Sequence, residues 1–257
     1  MLFKPTLKIT SILPVLNGET YLKRAIDSFL DQNYPYKELV IVDGKSTDNS
    51  HKIIASYVEA FPKEIIWIKE KDTGLSNARN IGLKHATGNI IGFHSSDDVL
   101  LRGVFETIGY YGAICDFDIL YFSCQIYNTA LFECYDSNIP LKKLSAKNLL
   151  KGNPITAGEC FYYKKHIFDH FKFDENLKCV MDFEFNLQLI TNAHHNFFWF
   201  AVNKPGIITF LHPDCISNKY KSISSQEKKQ VLRKYRAKSK LHPLWKRCLR
   251  KLLGMDY

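Results

Sequence analysis

The chain has 257 residues, 46% hydrophobic and 24% charged, with a formal net charge of +9. That balance excludes a short disulfide scaffold, a disordered tail and a collagen-like repeat. Eleven Lys or Arg residues and no Asp or Glu lie between positions 228 and 251, so a slightly acidic body carries a cationic terminal segment, unlike a protein that binds nucleic acid over a whole face.

In chain order, residues 9–13 and 38–42 are short β-branched runs that end in turn residues, and residues 65–68 and 90–93 repeat the pattern. Between them fall helical stripes: Leu22, Ala25, Ile26, Phe29 and Leu30, then Ile53, Ile54, Tyr57, Val58 and Phe61 behind the start signal Asp48-Asn49-Ser50. Strand alternating with helix predicts a parallel α/β sheet with right-handed crossovers, whose ligands sit beyond the carboxyl ends of the strands. After Asp98 the pattern weakens. Residues 119–123 read as a strand, 164–170 and 180–191 as helices, and 197–202 and 207–211 as two further strands, which together predict a second, mixed-sheet half.

No run approaches the ~18 apolar residues of a membrane span, the longest dense one being residues 197–202. The first residues lack a signal-peptide cleavage pattern, so the expected location is the cytoplasm. Seven cysteines without a CxxC pair suggest reduced thiols rather than a disulfide framework or a zinc ribbon.

Four strand ends carry the candidate chemistry: Pro14-Val15-Leu16-Asn17, then Asp43 to Asp48 (DGKSTD), then Asp72-Thr73-Gly74, then Ser95-Ser96-Asp97-Asp98. Carboxylates at the mouth of a parallel sheet are placed to bond base or ribose, and a carboxylate pair can hold a hard divalent cation against a diphosphate. Taken singly, each is ordinary turn or N-cap chemistry. The ordered set Pro-x-x-Asn, DGKSTDNS, DTGLSNARNIGLKHATGNIIGF and SSDD resembles the family 2 glycosyltransferases of the GT-A fold, in the branch of bacterial polysaccharide and O-antigen sugar transferases. The likeness is close over residues 9–98 and looser to about residue 218.

The resemblance implies an α/β GT-A domain over residues 1–218, with a nucleotide-binding half to about residue 98, an acceptor half over 99–218, and a basic helical tail over 219–257. It implies inverting transfer from a nucleoside diphosphate sugar, UDP-linked by preference, to a glycan or lipid-linked hydroxyl, with Mg²⁺ or Mn²⁺. Asp43 is expected at the base; Pro14, Leu16 and Asn17 in the base and ribose pocket; Ser46 and Ser96 among the nucleotide-binding residues; Asp72, Gly74 and Arg79 along the nucleotide, with Arg79 as a phosphate donor; and Asp97 at the metal. Ser95 stands where the family's DxD motif has its first acid. Asp98 either orients the site or caps the next helix. Asp182, in Val180-Met181-Asp182-Phe183-Glu184, matches the acid expected to deprotonate the acceptor, although a first-turn carboxylate also complements a helix dipole. His212 falls where relatives have a loop near the diphosphate.

His166 and His170 lack the Glu of a zinc-hydrolase helix. In the tail, Leu244, Trp245, Cys248, Leu249, Leu252 and Leu253 form a stripe opposite Lys246, Arg247, Arg250 and Lys251, which suits either an anionic membrane surface or packing on the domain; nucleic acid is not an expected partner. The rival functions are a non-catalytic relative that binds nucleotide or a partner, suggested by Ser95, and an adaptor that uses the tail on membrane or RNA.

Overall fold

The computed structural model describes residues 7–137, 145–151 and 158–240. The first half alternates β1 (Ile9–Val15), α1 (Leu22–Leu30), β2 (Lys37–Asp43), α2 (Ser50–Ala60), β3 (Ile65–Lys69), α3 (Leu75–His85) and β4 (Ile90–Phe93). β1, β2 and β4 are buried almost throughout, which is why they read as near-continuous apolar runs. Next come β5 (Val99–Leu100), α4 (Val104–Ile114), β6 (Ile119–Asn128), β7 (Glu133–Ser137), α5 (Ala146–Leu150), β8 (Phe161–Lys164), α6 (Met181–Ile190), β9 (Trp199–Leu211), α7 (Ile216–Lys219) and α8 (Lys221–Lys240).

The strands form one sheet in the order β3-β2-β1-β4-β8-β6-β9-β5, with β7 hydrogen-bonded to β6. β1 to β4 pair in parallel, and β8 is inserted antiparallel between β4 and β6. The second half is mixed, since β9 runs parallel to β6 while β5 and β7 run antiparallel to their neighbours. All loops at the carboxyl ends of β1, β2 and β4 therefore open on one edge.

Two expectations change here. The segment read as a helix at 164–170 is a 3-10 helix over Lys165–Asp169, and the strand β8 just before it went unread; Phe161, Tyr162 and Tyr163 are buried between β4 and β6, and a segment this short does not separate the two periods. The two strands read at 197–202 and 207–211 are one strand. Their junction is an irregularity in which β6 advances from Phe122 to Cys124 while β9 advances from Val202 to Ile207. Such a bulge also tolerates Pro205 inside a sheet.

An aromatic cluster ties the halves together. Phe93 of β4 meets Phe173 edge-on at 4.9 Å, and Phe173 stacks on Phe185 of α6 at 4.6 Å; each such pair contributes ~1 kcal/mol beyond its buried area. α8 does not stand away from the domain, because Val231 and Tyr235 are buried and Arg236 donates to the Leu150 carbonyl at 2.8 Å. The stripe at 244–253 lies outside the described residues. Among those described, the cysteines are free and no helix is long and apolar enough to cross a membrane.

Candidate active site

The loops after β1 and β2 are joined by hydrogen bonds. The Asn17 amide donates to Ser46 Oγ at 2.9 Å, the Thr47 amide to Asn17 Oδ1 at 2.8 Å, and the Ser46 amide to Asp43 Oδ1 at 2.8 Å. Asn17 holds a positive φ of 55°, which asparagine tolerates better than most residues. Asn17 and Ser46 thus brace the mouth of the cleft, and Pro14 is buried in β1 opposite Val42 beneath it. Asp43 is buried. A Cβ built on Gly44 would lie 2.3 Å from Asp72 Oδ2 and 3.5 Å from Leu16, so Asp72 and the exposed Leu16 flank one bare stretch of backbone. The Gly74 amide donates to Asp72 Oδ1 at 2.9 Å. Burial, and then the neighbouring Asp43, push the Asp72 carboxyl up.

Beyond β4, Asp97 and His212 come together with Oδ2 and Nε2 3.0 Å apart. His212 is buried against the Tyr21 ring at 4.5 Å and its Nδ1 has no hydrogen-bond partner. Asp98 resolves the choice left by the sequence: it accepts from the Phe210 amide of β9 at 3.0 Å and caps no helix. Burial, reinforced by Glu159 and Asp97, drives its carboxyl well up. Ser96 is partly buried near Gly18. Ser95 donates to Glu159 Oε1 at 3.2 Å.

Arg79 holds the centre of the site. The resemblance placed it on a phosphate; here its side chain is almost fully buried, with one terminal nitrogen 2.9 Å from Glu159 Oε1 and the other bonded to Asp182 Oδ1. Its guanidinium also lies over the Phe93 and Phe173 rings. The geometry therefore gives Arg79 to the carboxylates instead of an open phosphate position. Asp182, in the first turn of α6, retains 25% side-chain exposure, whereas the Arg79 side chain retains 2%. Asp182 is thus the member of the triad that faces solvent. A Cβ on Gly158 would come within 2.1 Å of the Asp182 carboxyl carbon, so only glycine admits this approach. Burial drives the Glu159 carboxyl up, more than Arg79 draws it down.

Sequence reasoning missed Glu159, which lies in the short turn Gly158–Cys160 and carries no motif. A chain of contacts Ser95–Glu159–Arg79–Asp182 nevertheless connects the β4 loop to α6.

His94 precedes this loop and is fully buried, its Nε2 3.3 Å from the Asp98 carbonyl; burial lowers it from an ordinary 6.5 to about 4. Between those values the unfolded chain binds a proton that the folded chain refuses, so stability falls as pH drops through this window, by roughly 3 kcal/mol in all. Denaturant titrations at pH 7 and pH 4.5 should show a smaller acid loss in His94→Gln than in the parent. Equal losses would remove His94 as the cause.

The strand ends of this Rossmann-like sheet thus gather carboxylates, an imidazole and a buried arginine on the edge where α/β sheets bind their ligands. The profile described as Glycosyl transferase family 2 matches residues 10–171, and the chain belongs to that family. It is 29% identical over 180 residues to glycosyltransferase GlyA of Streptococcus pneumoniae, covering 65% of this chain and 26% of GlyA. It is 30% identical over 190 residues to the minor teichoic acid biosynthesis protein GgaA of Bacillus subtilis, covering 70% of this chain and 42% of GgaA. The chain thus spans less than half the length of these relatives. Among solved structures, S. aureus TarS 1–349 in complex with UDP superimposes with a TM-score of 0.65 at 20% identity, over 89% of this chain and 70% of that one. A mannosyltransferase from Pyrobaculum calidifontis, solved with GDP-Man and Mn²⁺, gives 0.57 at 20% identity, over 80% and 56%. The fold is the GT-A α/β fold.

Proposed function

We propose that the chain transfers a sugar from a nucleoside diphosphate sugar, UDP-linked by preference, to a hydroxyl of a surface glycan or its lipid-linked precursor, with inversion. The observation that carries this reading is Asp182: a part-exposed carboxylate locked by Arg79 at the end of a contact chain that starts in the β4 loop. Asp182 takes the proton of the acceptor hydroxyl as its oxygen attacks the anomeric carbon. The bond to the diphosphate breaks on the opposite face, and its electron pair leaves with the nucleoside diphosphate. Arg79 keeps the Asp182 carboxylate in one orientation, so catalysis is positioning plus one proton transfer.

Asp43, Asp72 and Leu16 flank the base and ribose, Asn17 and Ser46 hold their loops, and Ser96 and Gly74 border the diphosphate. Asp97 and His212 fit a divalent cation: an oxygen and a nitrogen donor stand 3.0 Å apart, and the imidazole favours Mn²⁺ over Mg²⁺. Among the described residues no group of three or more His, Cys, Asp or Glu could hold a metal, so diphosphate oxygens and water would have to supply the remaining donors. Bound there, the cation would offset charge on the leaving diphosphate. The UDP preference is supported by the TarS complexes with UDP and UDP-GlcNAc, and the surface-polymer acceptor by the teichoic acid proteins GgaA and GgaB. A lipid-linked acceptor puts the reaction at the cytoplasmic face of the membrane, with the cationic segment after residue 240 as its contact.

Thermal shift with UDP, GDP and CDP, each with and without Mn²⁺, tests donor class and metal together. UDP with Mn²⁺ at about a hundred times its Kd should add ~2.7 kcal/mol of stability, roughly 5–10 °C in Tm. No shift with any nucleotide would overturn the reading.

A further inference from the structure

The cationic helix α8 has a second occupation, on the inside of the domain. Glu227 of α8 is 8% exposed, and its carboxylate accepts the Lys178, Cys179 and Val180 amides at 2.8, 2.9 and 3.3 Å. These three residues are the entry to α6, whose own N-cap, Val180, supplies no side-chain cap. Unsatisfied amides at such an entry need a partner, and here it arrives from 47 to 49 residues downstream.

A second contact closes the other side of the same turn. Glu184 of α6 is fully buried and accepts from Tyr235 Oη at 2.6 Å and Lys234 Nζ at 2.8 Å, both on α8. Asp182 lies between these two anchor points. Its carboxylate is met by Arg79 and by the bare backbone of Gly158.

We infer that Glu227 is a positioning residue for Asp182, and that α8 is part of the catalytic apparatus because it fixes the first turn of α6 from both ends. The inference rests on the assignment of Asp182 as the base. Charged hydrogen bonds of this kind are short-ranged and directional, so losing them lets the turn rotate without unfolding the sheet that binds the donor. A displacement of the base by about 1 Å costs up to roughly a hundredfold in rate.

The test compares Glu227→Ala, Glu227→Gln and the exposed-site control Lys229→Ala in the full chain, by transfer kinetics from UDP-sugar and by UDP affinity. Glu227→Ala is expected to lower kcat at least tenfold with the donor KM and the UDP Kd within about twofold of the parent. Glu227→Gln, which keeps one acceptor oxygen and serves if the alanine variant does not fold, should lie between, and Lys229→Ala should match the parent. In an Asp182→Asn background, Glu227→Ala should leave the residual rate of donor hydrolysis unchanged, because a residue that acts only through Asp182 has nothing left to act on. A kcat within twofold of the parent for both Glu227 variants would overturn the inference. So would an equal loss of donor affinity, or a further tenfold loss on the Asp182→Asn background, since each marks a general structural role. Parental transfer by Asp182→Asn alone would remove the base assignment itself, a failure distinct from that of the clamp.

Discussion

Asp182→Asn is expected to lower kcat for sugar transfer by about a hundredfold to ten-thousandfold, the usual weight of a general base, while UDP affinity stays within about twofold. The asparagine keeps the shape of the carboxylate and a carbonyl oxygen for Arg79 but cannot accept the acceptor's proton. Measured separately, kcat should fall and donor KM should not, because the loops after β1 and β2 do not contact α6 through this side chain. Transfer at the parental rate would refute the assignment. A loss of UDP affinity equal to the loss of rate would move Asp182 from proton transfer to donor binding.

Arg79→Met carries the largest expected effect on stability. The methionine fills most of the volume beneath the Phe93 and Phe173 rings but leaves Glu159 buried and Asp182 partly buried without the cation that both contact. Removing one partner of a buried ionic group costs about 3–5 kcal/mol, most of it the penalty for the charges left behind. In a chain of this size that is roughly 10 °C in Tm. The deficit should shrink as pH falls. The Glu159 carboxyl is already pushed up by burial, and without Arg79 it rises further, so it takes up a proton and ceases to be an unpaired charge. Denaturant unfolding at pH 5 and pH 8 measures this; a loss under 1 kcal/mol at both would show that the triad does not support the fold.

The first half of the molecule was legible because its signals are local. Each strand run stops at a turn residue, each helix stripe keeps its period, and the resulting βαβ order fixes on which edge the loops gather. Asp43 could be named as a candidate from its place at the end of β2, and Asp72 and Asp97 from the turns that follow β3 and β4. Glu159 could not, since its relation to Arg79 spans 80 positions and rests on a three-residue turn. Arg79 was named as a candidate through the resemblance, which put it on a phosphate; its burial and its two carboxylate partners arise only when distant parts of the chain pack. α4, from Val104 to Ile114, went unread because its apolar residues and two glycines give no clear stripe. The basic segment was legible as charge and as helix, and α8 is helical over Lys221–Lys240, but its contacts were not. That Lys234 meets the buried Glu184, and that Glu227 just ahead of the cationic run turns inward, depends on where α6 lies.

The irregularity in β9 has a consequence for how chains of this kind tolerate insertions and deletions. Along that junction β9 uses five steps where β6 uses two, an odd surplus, so the alternation of inward and outward side chains is reset midway. The two apolar runs that look like separate strands are one strand in two phases. His212 immediately follows the second phase. Losing or gaining a single residue between Asn203 and Gly206 would turn the following side chains through half a period and carry the imidazole away from Asp97, whereas the same change in the β6–β7 turn would leave the pair untouched. Length in β9 is therefore constrained where composition is not.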